Sequence, residues 1–293
     1  MPSNQPYGLS VSQMIKTDAR SRGVRQDIIE EDYALSYLLA AIAATKGLGE
    51  NLVLKGGTAL KKLYFENYRF SEDLDFSTRI IGPIRHIDSL MQGVVEQMLS
   101  ALNERGPFQV NLEPLILPQP HPGGQKAYLV RVQFPEQRHP LCRLKVEITI
   151  DEPILLPVEA RPVIHGFTEN FHAHVPVYAL IEITAEKLRA LLQSRIHLQE
   201  RGWGASRVCR DYYDLWHLLQ QPGVISPNLV PLIQEKCAVR NVNYETPADF
   251  VADNLFSVAR QEWQQQLLPF VPDAPPVDQC LAEVKSLIIS VWE

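Results

Sequence analysis

Residues 55–77 read KGGTALKKLYFENYRFSEDLDFS and contain the residue types best suited to chemistry in this chain. Gly56 and Gly57 followed by Thr58 predict a tight turn that opens a helix. Backbone N–H groups at a helix N-terminus bind phosphate oxygens, and the Thr58 hydroxyl adds a further donor. The same triplet also fits an ordinary strand-to-helix turn with Thr58 as the N-cap. The turn therefore indicates a nucleotide site only in combination with other groups.

Asp73 and Asp75 follow this turn on a predicted strand. Residues two apart on a strand point to the same side, about 7 Å apart along the chain. Two such carboxylates can share divalent cations that lie about 3.5–4 Å apart, as in two-metal phosphoryl transfer. An isolated Asp-x-Asp would equally fit a solvated strand edge. Its position shortly after the Gly-Gly-Thr turn predicts nucleotide chemistry at a pair of divalent cations.

A third carboxylate is expected on a later strand. The segment Leu141–Asp151 alternates apolar and polar residues, which predicts a strand with one face toward the core. Glu147 lies on the polar side, where it would complete the metal site and accept a proton from the nucleophile. Asp151 on the same side is the rival third ligand. An ion pair of Glu147 with a neighbouring cation is the alternative without function.

The second half of the chain adds two helical segments, Glu186–Leu191 and Arg210–Trp216. A local concentration of cations spans them: Lys187, Arg189, Arg195, Arg201, Arg207 and Arg210. Such a concentration could neutralise a triphosphate and a polyanionic acceptor. A solvated helix face with i, i+4 ion pairs explains the same pattern. The pattern alone leaves the roles of Lys187 and Asp211 open.

Composition limits the class of protein. The chain has 293 residues, of which 45% are hydrophobic and 21% charged, so a sizeable core is expected. The net charge of −6 restricts contact with nucleic acid to a local basic face. The 4 cysteines are far apart, which argues against a zinc knuckle or a disulfide framework. The longest near-apolar stretch, Tyr33–Ala44, is too short to span a bilayer. We expect a cytoplasmic protein.

The order of elements predicts two domains. Helical periodicity over Asp27–Lys46 precedes a short strand and the Gly56 turn, and further strands follow up to residue 151. Beyond about residue 170 the patterns are helical, most clearly over Leu180–Arg195 and Ser206–Gln220. We therefore expect a mixed α/β domain over residues 1–168 and a helical domain over residues 169–293.

These motifs resemble those of the AbiEii/AbiGii toxin family of nucleotidyltransferases, within the DNA polymerase β-like superfamily. The resemblance rests on Gly-Gly-Thr-Ala-Leu with the Arg69–Phe76 segment RFSEDLDF, on Lys145–Ile148, and on the two helical segments of the second half. The motifs span residues 55–216 in the family's order and spacing. Thr58 stands where many relatives have Ser, which preserves the hydroxyl.

The resemblance implies an α+β fold, with a nucleotidyltransferase-type mixed sheet, flanking helices and a helical C-terminal domain. It implies Mg²⁺ and NTP use, with Asp73, Asp75 and Glu147 as metal ligands. Gly56, Gly57 and Thr58 would bind the nucleotide together with Lys187, and Lys187 and Asp211 would be catalytic residues of the helical domain.

Family members are toxins of bacterial toxin–antitoxin and phage-defence systems, and some related members add nucleotides to the tRNA 3′ end. We accordingly predict a Mg-dependent nucleotidyltransferase toxin that transfers NMP to an acceptor hydroxyl, expected at a tRNA 3′ end, with a cognate antitoxin as partner. A nucleotide-binding regulator without transfer activity, and an enzyme that modifies a protein or a small molecule, are the alternatives.

Overall fold

The computed structural model describes residues 9–116, 125–202 and 207–293. Its α-helices are α1 (Val11–Arg22), α2 (Gln26–Ala44), α3 (Gly56–Ala59), α4 (Ile87–Asn103), α5 (Leu180–Arg201), α6 (Val208–Leu218), α7 (Leu229–Val239), α8 (Asp253–Glu262) and α9 (Val277–Ser290). Single π-helical turns continue α3 over Leu60–Tyr64 and α8 over Trp263–Leu267, and a 3₁₀ turn covers Pro247–Val251.

The strands are β1 (Leu52–Lys55), β2 (Asp73–Thr78), β3 (Gln109–Leu115), β4 (Gln125–Gln133), β5 (Cys142–Thr149), β6 (Glu159–Pro162) and β7 (His174–Val177). They form one 7-stranded sheet in the order β3-β4-β5-β2-β1-β7-β6. Strand β2 runs parallel to β5 and β1 runs parallel to β7, whereas the other neighbours are antiparallel. The predicted α+β class with a mixed sheet is confirmed.

The alternation predicted for the third strand is present in β5. Leu144, Val146 and Ile148 are fully buried on one face of the sheet. Helices α2 and α4 pack on this face, where the Tyr128 hydroxyl of β4 donates to Asp88 of α4 at 2.6 Å. Burial of this apolar face fixes the register, since a shift by one residue would expose it. The polar residues of β5 consequently lie on the opposite face.

The helices that follow the sheet pack mainly on one another. Helix α5 contacts α6 and α7, and α6 contacts α8 and α9. The Tyr212 hydroxyl of α6 donates to the Phe250 carbonyl at 2.8 Å, which connects α6 with the 3₁₀ turn. The start of the predicted helix at Ser206 lies outside the described residues. The sequence thus predicted a helical second half. Helix α5 ends at Arg201, beyond the predicted end at Arg195.

Strands β6 and β7 were not expected from the sequence. Strand β7 pairs with β1 through Leu54 and Val177, so the sheet extends beyond residue 168. The boundary between residues 168 and 169 stays a prediction, with one strand of the sheet on its far side. No helix within the described ranges combines the length and the apolar character needed to cross a membrane.

Candidate active site

The predicted carboxylates meet at the start of β2. In the sheet register, Asp75 lies between Lys55 of β1 and Glu147 of β5, and Asp73 lies beside Lys145. Residues opposite one another on neighbouring strands are about 4.8 Å apart in the pairing direction and point to the same face. Asp151, the rival third carboxylate, is exposed beyond the end of β5. The structure therefore places Glu147, and not Asp151, beside Asp75.

The carboxylates of Glu147 and Asp73 repel the carboxylate of Asp75. Burial and the nearby carboxylates of Glu147 and Asp73 together raise the pKa of Asp75 to about 6, although Lys55 and Lys187 oppose the increase. A divalent cation would relieve this repulsion, because Mg²⁺ takes hard oxygen ligands of this type. The donor set therefore fits Mg²⁺.

Two of the three carboxylates are engaged by cations of the chain. Arg207 donates to Asp73 Oδ2 at 2.8 Å. The ammonium of Lys145 lies 2.9 Å from Glu147 Oε1, and the side-chain amide of Gln125 also donates to that oxygen. Within the residues that the structure describes, no group of three or more His, Cys, Asp or Glu is already arranged to hold a metal ion. Metal binding would thus exchange these internal contacts for ligand bonds.

The predicted phosphate-binding turn lies directly beside Asp75. Helix α3 begins at Gly56, which has a φ of 74° and directly follows β1. A Cβ atom on Gly56 would lie 2.8 Å from Asp75 Oδ2, so only glycine permits this close approach. A Cβ on Gly57 would lie 2.5 Å from Arg69 Nη2. Both glycines are therefore required by neighbouring side chains.

Thr58 faces inward. Its side chain is buried, and its hydroxyl donates to the backbone carbonyl of Asp73 and lies 2.8 Å from Ser71 Oγ. This contact ties the turn to the start of β2. Phosphate binding by the Thr58 hydroxyl stays a prediction. Sequence reasoning missed Ser71 as a partner, although its position two residues before Asp73 was the available signal.

Lys187 and Asp211 are brought together as an ion pair. The Lys187 ammonium lies 2.7 Å from Asp211 Oδ1 and 2.9 Å from Asp214 Oδ2. Burial would lower the pKa of Lys187, but the Asp211 and Asp214 carboxylates raise it overall. Lys187 is therefore a permanently charged group held between helices α5 and α6. Asp214, which the sequence did not single out, is its second partner.

A cavity of about 160 Å³ joins the two halves of the site. Its wall contains residues from the sheet, the phosphate turn and both helices: Lys55, Gly56, Asp75, Ile183, Glu186, Lys187, Arg189, Ala190 and Asp211. Asp75, Gly56, Lys187 and Asp211 thus line one space, whereas Asp73, Glu147, Gly57 and Thr58 are not among its lining residues. Lys55, Ile183 and Ala190 were missed. Ile183 and Ala190 lie four residues before and three residues after Lys187 on one face of a helix, and this spacing could have indicated them.

Five of the six cations between Lys187 and Arg210 are engaged in ion pairs, and the sixth, Arg201, is exposed at the end of α5. Ion pairs engage Lys187 with Asp211, Arg189 with Glu152, Arg195 with Asp249, Arg207 with Asp73 and Arg210 with Glu72. The sequence suggested these cations as an acceptor-binding surface. The sequence could not reveal these pairs, since three of the five acidic partners, Glu72, Asp73 and Glu152, come from the part of the chain before the helical half.

The chain is similar to known proteins in sequence and in fold. Residues 37–283 match the family model described as "Nucleotidyl transferase AbiEii toxin, Type IV TA system". Among solved structures, the fold is similar to that of MenT4, the nucleotidyltransferase toxin Rv2826c from Mycobacterium tuberculosis H37Rv. That match has a TM-score of 0.62 and 24% identity, and it covers 98% of this chain and 90% of that chain. At this identity, the match shows that the two proteins share a fold and nothing beyond that.

No curated protein sequence matches the chain. The family match covers most of the chain, including every predicted site residue. The chain belongs to the AbiEii family of nucleotidyltransferase toxins, which act in type IV toxin–antitoxin systems.

Proposed function

We propose that this nucleotidyltransferase toxin is Mg-dependent and transfers NMP from an NTP to the 3′-hydroxyl of an RNA, with tRNA as the expected acceptor. One observation carries the proposal. Asp75 lies in register with Glu147 on one side and Lys55 on the other, at a cavity that also contains the phosphate turn and Lys187. Carboxylates, a glycine turn and a fixed cation are what triphosphate chemistry requires.

Asp73, Asp75 and Glu147 would hold the cations. When bound, Mg²⁺ supplies charge neutralisation at the triphosphate and lowers the pKa of a coordinated hydroxyl. Gly56 and Gly57 allow the triphosphate to approach the backbone closely. Lys187, held by two carboxylates, would neutralise the charge that develops on pyrophosphate.

In this proposal Glu147 faces the acceptor, because it extends the carboxylates of β2 onto the neighbouring strand β5. In the reaction, the acceptor oxygen forms a bond to the α-phosphorus while the bond to the pyrophosphate oxygen breaks. The hydroxyl proton passes to Glu147 in this proposal. Catalysis then rests on positioning and charge neutralisation, as in phosphoryl transfer generally.

The biological setting is partly given by the family. An NTP substrate and an antitoxin partner follow from membership of a type IV toxin–antitoxin family. A role in phage defence, and a location in the cytoplasm where NTPs and RNA are found, belong to the proposal. The resemblance of the motifs to those of tRNA-modifying relatives supports tRNA as the acceptor.

Labelled NTPs test this function directly. The purified protein is incubated with each α-labelled NTP in turn, with Mg²⁺ or with a chelator, and with total RNA or a cell lysate. We expect label in RNA only when Mg²⁺ is present. Label in a protein or a small metabolite would identify a different acceptor, and absence of transfer under every condition would refute the proposal.

A pair of carboxylate variants sharpens the test. Asp75→Asn should reduce the transfer rate by at least about a thousandfold, because the buried carboxylate would no longer bind metal. Asp151→Asn is the matched control, since Asp151 is exposed beyond the end of β5. It should transfer NMP at the wild-type rate. Circular dichroism checks that both variants remain folded.

A further inference from the structure

One face of the sheet is covered unevenly. Helices α2 and α4 cover the face opposite the site. On the site face, Ser77 and Thr149 are buried. The same face continues from β5 across β4 to β3, where Arg143 and Asn111 are exposed and Leu129 is partly exposed. The described elements therefore leave the site-side surface of β3–β5 accessible.

This surface, which we call the open face, consists of two rows of side chains that cross the strands. The register aligns Asn111, Arg131 and Arg143 in one row, and Glu113, Leu129 and Lys145 in the other. Lys145 is itself in register with Asp73. The open face therefore continues directly into the carboxylates of the candidate active site.

The open face has an excess of positive charge. Arg131 donates to both carboxylate oxygens of Glu113, at 2.7 and 3.1 Å, which compensates one cation. Lys145 pairs with Glu147 inside the site. Arg143 is exposed and forms no ion pair with any residue in the described ranges. It also lowers the pKa of Glu113, after the stronger effect of Arg131, so its charge acts on this surface.

The spacing of these cations fits a strand that ends at Glu147. Along β5, Lys145 is about 7 Å and Arg143 about 13 Å from Glu147. A length of about 13 Å corresponds to about four nucleotides at the stacked spacing of about 3.4 Å. Leu129 lies beside Lys145 and offers an apolar contact for a base. Phosphates along this line would meet cations while the terminal hydroxyl reaches Glu147.

We propose that the open face binds the 3′-terminal strand of the RNA acceptor, with Arg143 and Arg131 at backbone phosphates and Lys145 at the phosphate nearest the site. This inference rests on the proposed function and names the surface that selects its acceptor. A polyanion is favoured over a protein segment because the row is cationic in a chain of net charge −6. Arg143, which is exposed and has no ion pair within the described ranges, lies on the same strand as Glu147 and leaves this face a cation that is free to meet a phosphate.

A charge reversal on the open face tests the proposal without touching the site. Arg143→Glu changes an exposed side chain, and Lys126→Glu is its matched control. Lys126 is also exposed and lies on β4, but its register position opposite Ile148 places it on the other face of the sheet. Binding of a short 5′-labelled RNA is measured by fluorescence anisotropy over a range of salt concentrations. Transfer to deacylated bulk tRNA is measured in parallel.

We expect Arg143→Glu to weaken RNA binding about tenfold and to reduce the slope of log K against log [salt] by about one or more. The KM for tRNA should rise, while kcat and the KM for NTP stay at their wild-type values. Lys126→Glu should behave as the wild type. Equal effects of the two variants, or no effect of Arg143→Glu on RNA binding, would overturn the proposal.

The outcomes separate this proposal from the function on which it rests. A wild-type protein that transfers NMP to tRNA with a KM indifferent to Arg143→Glu keeps the proposed function and removes the open face from it. A wild-type protein that labels a protein in the lysate and not RNA removes the RNA acceptor and this surface together. The anisotropy measurement needs no turnover, so it decides the binding question even for an inactive preparation.

Discussion

Asp214 holds the ammonium of Lys187 in place. Its buried carboxylate accepts hydrogen bonds from Arg69 at 2.6 and 2.7 Å and from the Tyr68 hydroxyl at 2.7 Å, and it pairs with Lys187 at 2.9 Å. Asp211, which lines the cavity, shares the same ammonium. Asp214 is thus a positioning residue behind the site, whereas Asp211 and Lys187 face the space that the nucleotide would occupy.

Asp214→Asn is expected to lower the free energy of unfolding by about 3 kcal/mol at neutral pH, because it leaves the buried Arg69 guanidinium without its counter-charge. Burial alone would raise the pKa of Asp214, but Arg69 and Lys187 hold it well below its usual value. A depressed pKa contributes stability above the pKa of the unfolded chain, about 3.9, and this contribution is lost as the pH falls below that value.

Urea unfolding at neutral pH and at about pH 3 measures this difference, which should be smaller at the lower pH. Asp278→Asn is the control, because Asp278 pairs with Arg260 on the surface. Its stability should stay close to that of the wild type at both pH values. A difference between Asp214→Asn and wild type that is the same at both pH values would contradict the assigned charge state.

Gly57→Ala tests the close contact behind the phosphate turn. The new Cβ would lie 2.5 Å from Arg69 Nη2, so Arg69 must move away from Asp214. We expect a loss of about 2 kcal/mol in the free energy of unfolding, as for other overpacked sites. Gly93→Ala is the matched control, because a Cβ there meets nothing within 4 Å. It should be neutral or slightly stabilising in thermal or urea unfolding.

At the scale of elements, strand β2 organises the site. It lies between β1 and β5, so one strand carries Asp73 and Asp75 while its neighbours add Lys55 and Glu147. The parallel pairing of β2 with β5 joins segments that are far apart in the chain. The turn at Gly56 then follows β1 directly. A short central strand thereby aligns the carboxylates with the phosphate turn.

Local patterns were sufficient to predict much of this arrangement. The alternation of Leu141–Asp151 indicated both strand β5 and the polar side that carries Glu147, because residue period and burial are local properties. Strands β6 and β7 have only 4 residues each and contain Pro162 and Pro176, so no period could be read. The inward direction of Thr58 and the ion pairs of the helical cations depend on long-range pairing, which no local pattern encodes.

Thr58→Val tests the link between the turn and β2. The substitution keeps the shape of the side chain and removes the hydroxyl that donates to the Asp73 carbonyl. We expect a loss of about 1 kcal/mol in the free energy of unfolding, because the partly buried Asp73 carbonyl loses this donor. Thr58→Ser should retain nearly full stability. A raised KM for NTP in Thr58→Val without any loss of stability would instead assign the hydroxyl to the phosphates.

At the scale of the whole molecule, buried charges join the sheet to the helical half. Glu152, which follows β5, pairs with Lys55 of β1 at 3.0 Å, with Arg189 of α5, and with Arg240 after α7 at 2.9 Å. Burial opposes ionisation of Glu152, but these cations lower its pKa overall. Asp214 and Arg69 form a second such connection. Each half therefore carries buried charges whose partners belong to the other.

These connections predict that the N-terminal half does not fold by itself. A fragment of residues 1–168 lacks β7 and leaves Lys55, Arg69 and Glu152 without partners from the helical half. Lys55 and Glu152 keep each other as partners, but Arg69 loses Asp214 altogether. A buried charge that loses its partner costs about 3–5 kcal/mol, which is a large part of the stability of a domain. We expect no cooperative urea transition for this fragment, and a single cooperative transition for the full chain.

A longer fragment separates the two causes. Residues 1–178 restore the pairing of β7 with β1 but still lack Arg189, Asp214 and Arg240. If the missing strand alone prevents folding, this fragment unfolds cooperatively; if the buried charges decide, it stays unfolded, which is the result we expect. Circular dichroism and urea titration of both fragments distinguish these cases. A cooperative transition for residues 1–168 would show that the predicted boundary divides two independent domains, and that the charge connections are not needed to hold the sheet together.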